Sequence, residues 1–232
     1  MNKFEKYFLE SKTTTEKKLD NFAKYCRRQT LTKFMVRHEL FKMQADIKGS
    51  IVECGVHEGG GLMTWANLSA IIEPHNYSRK IIGFDTFSGF PSYNKKDLKK
   101  FSQKGKFKEN YNTYDDIKNS VKIFDSNRSL NHIEKVELVK GNAEKTIPLF
   151  LKRNKHFIAS LIWLDFDIYK PTSVALKHFL PRVTKGSVIA FDELNNPMWP
   201  GETLAAIENN ILSLGKLKCF NYEPNISYIV VE

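Results

Sequence analysis

The sequence is poor in cysteine. Its 232 residues hold three, Cys26, Cys54 and Cys219, an odd number with no metal-binding or redox spacing. That excludes a disulfide framework and leaves buried or incidental thiols in a reducing compartment. Long apolar runs are missing too, and none approaches the roughly 20 residues that cross a bilayer. The first residues, MNKFEKYFLESK, alternate charges and have no apolar core of signal-peptide length. A cytoplasmic protein without membrane insertion is expected. Zinc-finger, RNA-recognition and helix-turn-helix patterns are absent, which argues against a nucleic-acid partner. No segment repeats.

What is present is ordinary apolar content and an excess of positive charge. The length suits one sizeable domain with a full core. The formal net charge is +10, which favours an anionic partner such as a phosphorylated small molecule. Lysines concentrate in NKKDLKKFSQKGKFK, residues 94–108. A solvated loop and a mobile lid over an anionic substrate are the two readings of that stretch.

Residues 3–47 read as helical, with apolar residues at three- and four-residue spacing and no internal Pro or Gly. After Gly49, short apolar runs alternate with helical patterns. Strands are predicted at 50–54, 80–85, 135–141, 159–167 and 186–193, and KLKCF and ISYIVVE close the chain as a hairpin. Helices are predicted at 61–73, 113–126, 171–183 and 201–215, with a short one in AEKTIPLFLKRN. Positions 86–112 form a long polar loop, and loops of that length are usually functional or disordered. The alternation predicts an α/β fold: a seven-stranded, mostly parallel sheet with helices on both faces. The last strand is expected to be antiparallel, an ending that separates a methyltransferase-like sheet from a dinucleotide-binding one. Residues 1–48 read as a helical appendage and 49–232 as the catalytic domain.

In open α/β sheets, ligands bind outside the carboxyl ends of the strands. The strands here end in Glu53, Asp85, Gly141-Asn142, Asp165 with Asp167, and Asp192-Glu193, so nearly every one delivers an acid to the same edge. The first turn, IVECGVHEGGG, is not a dinucleotide fingerprint. That motif needs Gly-x-Gly-x-x-Gly, whereas Gly55 and Gly59 are separated by three residues and His57 takes the middle place. Glu53 would repel a pyrophosphate. An acid beside a glycine turn suits S-adenosylmethionine, which carries a sulfonium and an ammonium and no phosphate. Asp85 stands where a carboxylate accepts ribose hydroxyls, and Gly141-Asn142 where backbone passes under an adenine.

Asp165, Asp167, Asp192 and Glu193 form a second group on adjacent strands. Like charges so close need a counter-charge. A hard divalent cation with oxygen ligands answers that need, and Mg²⁺ is the usual choice. Such a cation would bind vicinal oxygens of an acceptor and acidify one hydroxyl. Alternation along LDFD points Asp165 and Asp167 the same way, with Asp165 the ligand and Asp167 the group nearer the substrate.

Four motifs, "IVECGV…GG", "IIGFDTFSGFP", "LDFDIYKPT" and "KGSVIAFDELNNPMWPGE", together resemble the macrocin/mycinamicin-type (TylF-like) sugar O-methyltransferases. Within that family the wording is most similar to the calicheamicin-pathway TDP-rhamnose 3-O-methyltransferase branch. The resemblance covers roughly residues 30–210. It implies a Rossmann-like class I methyltransferase fold, S-adenosylmethionine as donor, Mg²⁺ dependence and a sugar or nucleotide-sugar acceptor. It carries the metal ligands onto Asp165, Asp192 and Glu193. The cofactor contacts fall on Glu53, Gly55, Asp85 and Asn142, with Gly59, Thr86 and Gly141 in the same turns. The family's histidine base, in the segment between the second and third strands, has no counterpart in YNTYDDIKNSVKIF; His132 lies later, near the third strand. His132, Asp167 or a water is left as the base, and His57 has no assigned purpose. Arg128 is a candidate partner for a substrate phosphate. A homo-oligomer is compatible with the sequence. The rival readings are a catechol-like phenol O-methyltransferase, an NAD-dependent oxidoreductase and a non-catalytic binding protein on the same fold.

Overall fold

Beyond Gly49 each apolar run folds as its period indicates. The computed structural model describes residues 1–232. Seven strands, β1 (Ser50–Cys54), β2 (Ile81–Asp85), β3 (Val136–Lys140), β4 (Ala159–Leu164), β5 (Val188–Phe191), β6 (Lys218–Phe220) and β7 (Glu223–Val230), form one sheet. Its order is β3-β2-β1-β4-β5-β7-β6. The first five strands are parallel, and β7 runs antiparallel between β5 and β6. Strand order reverses at β1 and β4, the switch point where such sheets open a crevice.

The helices are α1 (Lys3–Glu10), α2 (Thr15–Asp20), α3 (Arg28–Gln44), α4 (Gly60–Ile72), α5 (Thr113–Ser126), α6 (Ala143–Arg153), α7 (Tyr169–Phe179) and α8 (Pro200–Glu208). They cover both faces of the sheet, and the period of two along the strands decides which face each residue meets. Val52, Cys54, Phe84, Ile162 and Leu164 pack under α6, α7 and α8 through Phe150, Phe179 and Ala205. Ile51, Ile81, Leu161 and Trp163 pack under α3 and α4 through Leu40, Phe41 and Trp65. No helix is long and apolar enough to cross a membrane.

Two expectations change at the N-terminus. The single helical run at 3–47 breaks into α1, α2, a short 3₁₀ turn and α3. Thr14 caps α2 by accepting from the Lys17 backbone N–H, and side-chain capping of this kind stops one helix and starts the next without any Gly or Pro. A boundary at residue 48 also fails for α3, because Val36, Leu40 and Phe41 are fully buried in the core with β1 and β4. Only α1 has the character of an appendage, burying none of its residues.

β4 stops at Leu164, short of the predicted 167. Asp167 takes a left-handed backbone (φ 59°), so strand alternation does not relate it to Asp165.

Candidate active site at the carboxyl edge of the sheet

A cleft of about 310 Å³ opens over the carboxyl ends of the parallel strands. Each of the five contributes to its lining: Gly55 after β1, Asp85 closing β2, Gly141 after β3, Asp165 after β4 and Asp192 after β5. Four of the seven non-glycine residues with positive φ, His57, Phe87, Phe107 and Asp167, line this one cleft. Backbone held in such sparsely populated conformations clusters at functional sites.

The β1 turn is drawn tight against β4. Gly55 has φ 98°, and a Cβ there would sit 2.0 Å from the Asp165 carbonyl oxygen, so only glycine fits. Asp85 holds the turn from the other side. Its Oδ2 accepts from the backbone N–H of Val56 (2.8 Å) and of His57 (2.9 Å), and its Oδ1 accepts from Phe87 N–H (2.7 Å). An ionised carboxylate offers about four acceptor sites. Asp85 therefore joins the β1 and β2 turns first, and little of it is left for a ribose. Thr86 lines the cleft, but its hydroxyl donates to the Gly89 carbonyl at 2.6 Å. Asn142 caps α6, its side-chain oxygen accepting from Glu144 N–H at 3.0 Å.

Glu53 and Gly59 lie outside the lining. Glu53 is 2% exposed and turns under the sheet toward α3, where its Oε1 is 3.5 Å from Arg37 Nη2. The Arg37 guanidinium stacks over Trp163, 4.4 Å from the ring centroid, with Trp65 at 5.6 Å. Burial pushes the Glu53 carboxyl up to about 8 against the opposing pull of Arg37. A direct contact between Glu53 and a cationic ligand is thus corrected to a buried ion pair beneath the turn. The cause is the strand's period of two, which puts Glu53 on the same face as Ile51. Gly59 instead starts α4, and a Cβ there would press on the Ile117 side chain.

The acids occupy the other side. Asp165 Oδ2 accepts from Trp163 Nε1 at 3.3 Å; burial and then repulsion by Asp192 push its carboxyl up to about 7. Asp167 is pushed up to about 8 by burial and then by Asp165, Glu193 and Asp192. Asp192 lies 3.8 Å from Lys33 Nζ through its Oδ2, while its buried Oδ1 has no hydrogen-bond partner. Glu193 accepts from Asn196 Nδ2 at 2.7 Å and does not line the cleft. No three acidic, His or Cys side chains converge closely enough to enclose a metal ion as they stand.

Residues 86–112 contain no helix or strand, yet they are pinned. Phe90 N–H donates to the Lys106 carbonyl and Gly105 N–H to the Phe90 carbonyl. Phe90 and Phe107 meet edge to face at 5.3 Å, and both pack on Trp199. Buried Asp97 accepts from Tyr169 N–H at 2.8 Å, tying the loop to the start of α7. His57 Nε2 lies 3.1 Å from Glu109 Oε1, so the residue without a purpose in the sequence links the β1 turn to the far end of this loop.

Two candidates fall away on position. His132 is exposed in the turn before β3, at the amino-terminal edge of the sheet, and cannot reach a proton in the cleft. Arg128 is committed to Asp125 and to the carbonyls of Ser129, Leu130 and Ile133. Three residues near the cleft were not picked out from the sequence. Lys33 and Arg37 lie one helical turn apart on α3 and face the sheet; the helical spacing was visible, but α3 had been set apart from the domain. Glu202 lies in the WPGE motif, and no periodic signal marks it as buried.

The open sheet with an antiparallel end, a glycine turn lacking the phosphate-binding spacing and acids at its carboxyl edge define a Rossmann-like methyltransferase. The sequence profile of the macrocin O-methyltransferase (TylF) family matches residues 27–204, and the chain belongs to that family. It is an S-adenosylmethionine-dependent O-methyltransferase, as the motifs implied. A crystal structure of CalS11, a calicheamicin methyltransferase, is similar over 98% of this chain and 89% of its own, with a TM-score of 0.94 and 32% identity. The apo structure of CalS11, described as a TDP-rhamnose 3′-O-methyltransferase, is similar over 98% and 91%, with a TM-score of 0.85 and 31% identity. The O-methyltransferase NovP shares the fold at 15% identity and a TM-score of 0.63, over 90% of this chain and 81% of its own. No curated protein sequence matches the chain.

Proposed function

We propose that this enzyme moves a methyl group from S-adenosylmethionine to a hydroxyl of a deoxysugar, with a divalent cation, Mg²⁺, at the acidic side of the cleft. The acceptor sugar is nucleotide-linked or part of a surface-glycan or natural-product pathway. The observation that carries the reading is the 32% identity across 98% of the chain to CalS11, a protein described as acting on TDP-rhamnose. The seven lysines between Lys95 and Lys108 and Lys33 in the cleft favour an acceptor bearing phosphate over a plain catechol.

The donors fit a hard cation. All are carboxylate oxygens, and the buried Asp192 Oδ1 lacks any partner. Asp165 and Asp192 would hold the ion, with Glu193 beside them, after changes of side-chain rotamer. When bound, the sulfonium donor supplies an electrophilic methyl carbon, and the cation supplies a Lewis acid for the acceptor's oxygens. Gly55, Asp85 and Gly141 shape the donor's seat. Asp167, which lines the cleft beside Asp165, takes the proton of the attacking hydroxyl as the new O–C bond forms and the S–C bond breaks. The loop at 92–112 covers the acceptor and excludes water.

The test is methyl transfer from labelled donor to TDP-rhamnose, other nucleotide sugars and a catechol, each with Mg²⁺ and with EDTA. Cation-dependent labelling of a nucleotide sugar is expected. Labelling of the catechol alone would refute the acceptor, and full activity in EDTA would refute the cation.

A further inference from the structure

Two of the seven lysines between Lys95 and Lys108 are half-buried, Lys96 and Lys106. Lys96 is paired with Glu208. Lys106 forms no ion pair with any acid of the chain. Its Nζ stands instead in a box of three rings, 5.3 Å from the centroid of Phe101, 5.2 Å from that of Phe107 and 5.0 Å from Trp199. The box is seated on the wall of the cleft. The Lys106 carbonyl accepts from Phe90 N–H at 3.0 Å, and a Cβ on Gly89 would lie 2.4 Å from that same oxygen. Gly89, Phe90 and Phe107 all line the cleft. Phe107 is 46% exposed, so the box stands where the cleft meets solvent.

Ring faces attract a cation but supply no acceptor oxygen, which leaves the three N–H donors of the ammonium for an anion. The cleft itself is unfriendly to one. Its lining includes five acids, Asp85, Glu109, Asp165, Asp167 and Asp192, and a single lysine, Lys33, which already faces Asp192 at 3.8 Å. A phosphate carried down to those acids would be repelled. A phosphate held at the rim would meet an ammonium fixed in advance, with little side-chain entropy left to lose. Lys106 also pulls the Asp167 carboxyl back down, which agrees with a box facing the acidic side. We infer that Lys106, held by Phe101, Phe107 and Trp199, binds the phosphate of the acceptor and so selects a phosphate-bearing sugar over a neutral one. This inference rests on the reading of the acceptor as a nucleotide-linked sugar, and it names the residue that enforces that choice. The sugar ring then reaches inward to the acids while its phosphates stay at the rim.

Trp65 and Trp163 are fully buried, so the fluorescence of Trp199 reports a ligand at the box. Thymidine diphosphate, thymidine and inorganic pyrophosphate are titrated in EDTA against the full-length wild type, Lys106→Met, Lys106→Arg and Lys33→Met. Affinity for S-adenosylmethionine and turnover of TDP-rhamnose are measured on the same samples. Lys106→Met should weaken thymidine diphosphate by about tenfold or more and thymidine by less than about twofold, and Lys106→Arg should recover most of the loss. Pyrophosphate should compete with thymidine diphosphate on the wild type and fail to do so on Lys106→Met. Donor affinity should stay within about twofold, and the loss with TDP-rhamnose should fall on KM rather than kcat. Equal weakening of thymidine and thymidine diphosphate would mark Lys106 as a residue that only shapes the loop, and would overturn the inference. Wild-type diphosphate affinity in Lys106→Met, or a loss found only in Lys33→Met, would overturn it too; methylation of nucleotide sugars by the wild type would then leave the acceptor reading standing. Failure of the wild type to bind thymidine diphosphate would also overturn the role of Lys106, and with no nucleotide sugar methylated the acceptor reading falls as well.

Discussion

The β1–β2–β3 side of the cleft is made of backbone, and the β4–β5 side of carboxylates. On the first side, a glycine at positive φ and the three N–H groups gathered by Asp85 set the shape. The carboxyl groups there already have partners, Glu53 in Arg37 below the turn and Asp85 in its three N–H donors. On the second side, Asp165 and Asp167 are pushed up by burial and by neighbouring acids. A preorganised polar seat suits a donor that must be held still. A strained acidic cluster suits chemistry that needs an ion and a base. The two sides should therefore respond differently to mutation.

The largest effect is expected on the acidic side. Asp165→Asn or Asp192→Asn should lower kcat/KM on the order of 10³-fold, the scale of removing a group that acts on developing charge. Affinity for S-adenosylmethionine by calorimetry should stay within roughly threefold, well under the tenfold that corresponds to about 1.4 kcal/mol. Equal loss of both would erase the division between the sides.

Next comes the support beneath the turn. Arg37→Met leaves Glu53 buried without its counter-charge and should destabilise the fold by about 3 kcal/mol near pH 8. The deficit should shrink toward pH 5. The folded pKa of Glu53, about 8, lies above an ordinary glutamate's value of about 4.3. Its protonated form is therefore favoured in the fold, and that stability is present below about 4.3 and lost as pH rises through 8. Removing Arg37 raises the folded pKa further, so the difference between variant and wild type widens as pH rises. Urea melts at several pH values would check this, and a deficit independent of pH would contradict it.

On the backbone side, Asp85→Ala should weaken the donor by about 1–3 kcal/mol through release of the turns, with a matching loss of thermal stability. A donor-only effect would return Asp85 to a purely ribose-binding role. The smallest effect is expected at the seam between turn and lid. His57→Ala removes a half-exposed contact with Glu109 and should change the acceptor KM by roughly twofold to fivefold.

Legibility in the sequence followed the same division. β1 was readable residue for residue at 50–54, and α5 at 113–126, because period, caps and flanking polar residues agree there. The acids that close strands were readable because a parallel sheet gathers its carboxyl ends on one edge. Glu202 was not, since its burial depends on Gly201 packing against Asp97, more than 100 positions earlier, a contact with no local signal. Arg37 and Lys33 were hidden for a related reason. α3 carries a charge, Arg37, on its buried face, so its amphipathic pattern did not mark that residue as part of the core. Glu53 was legible as an acid but not in its direction, which follows from the face α3 covers. His57 gains its partner Glu109 only once the loop at 86–112 has folded back on itself through Phe90 and Lys106.

The most direct test of the account is transfer of a labelled methyl group from S-adenosylmethionine to TDP-rhamnose by the wild-type enzyme, with Mg²⁺ and after exhaustive chelation. The account predicts labelled sugar nucleotide in the first case and none above background in the second. Equal labelling in both, or no labelling of any nucleotide sugar with Mg²⁺ present, would contradict it.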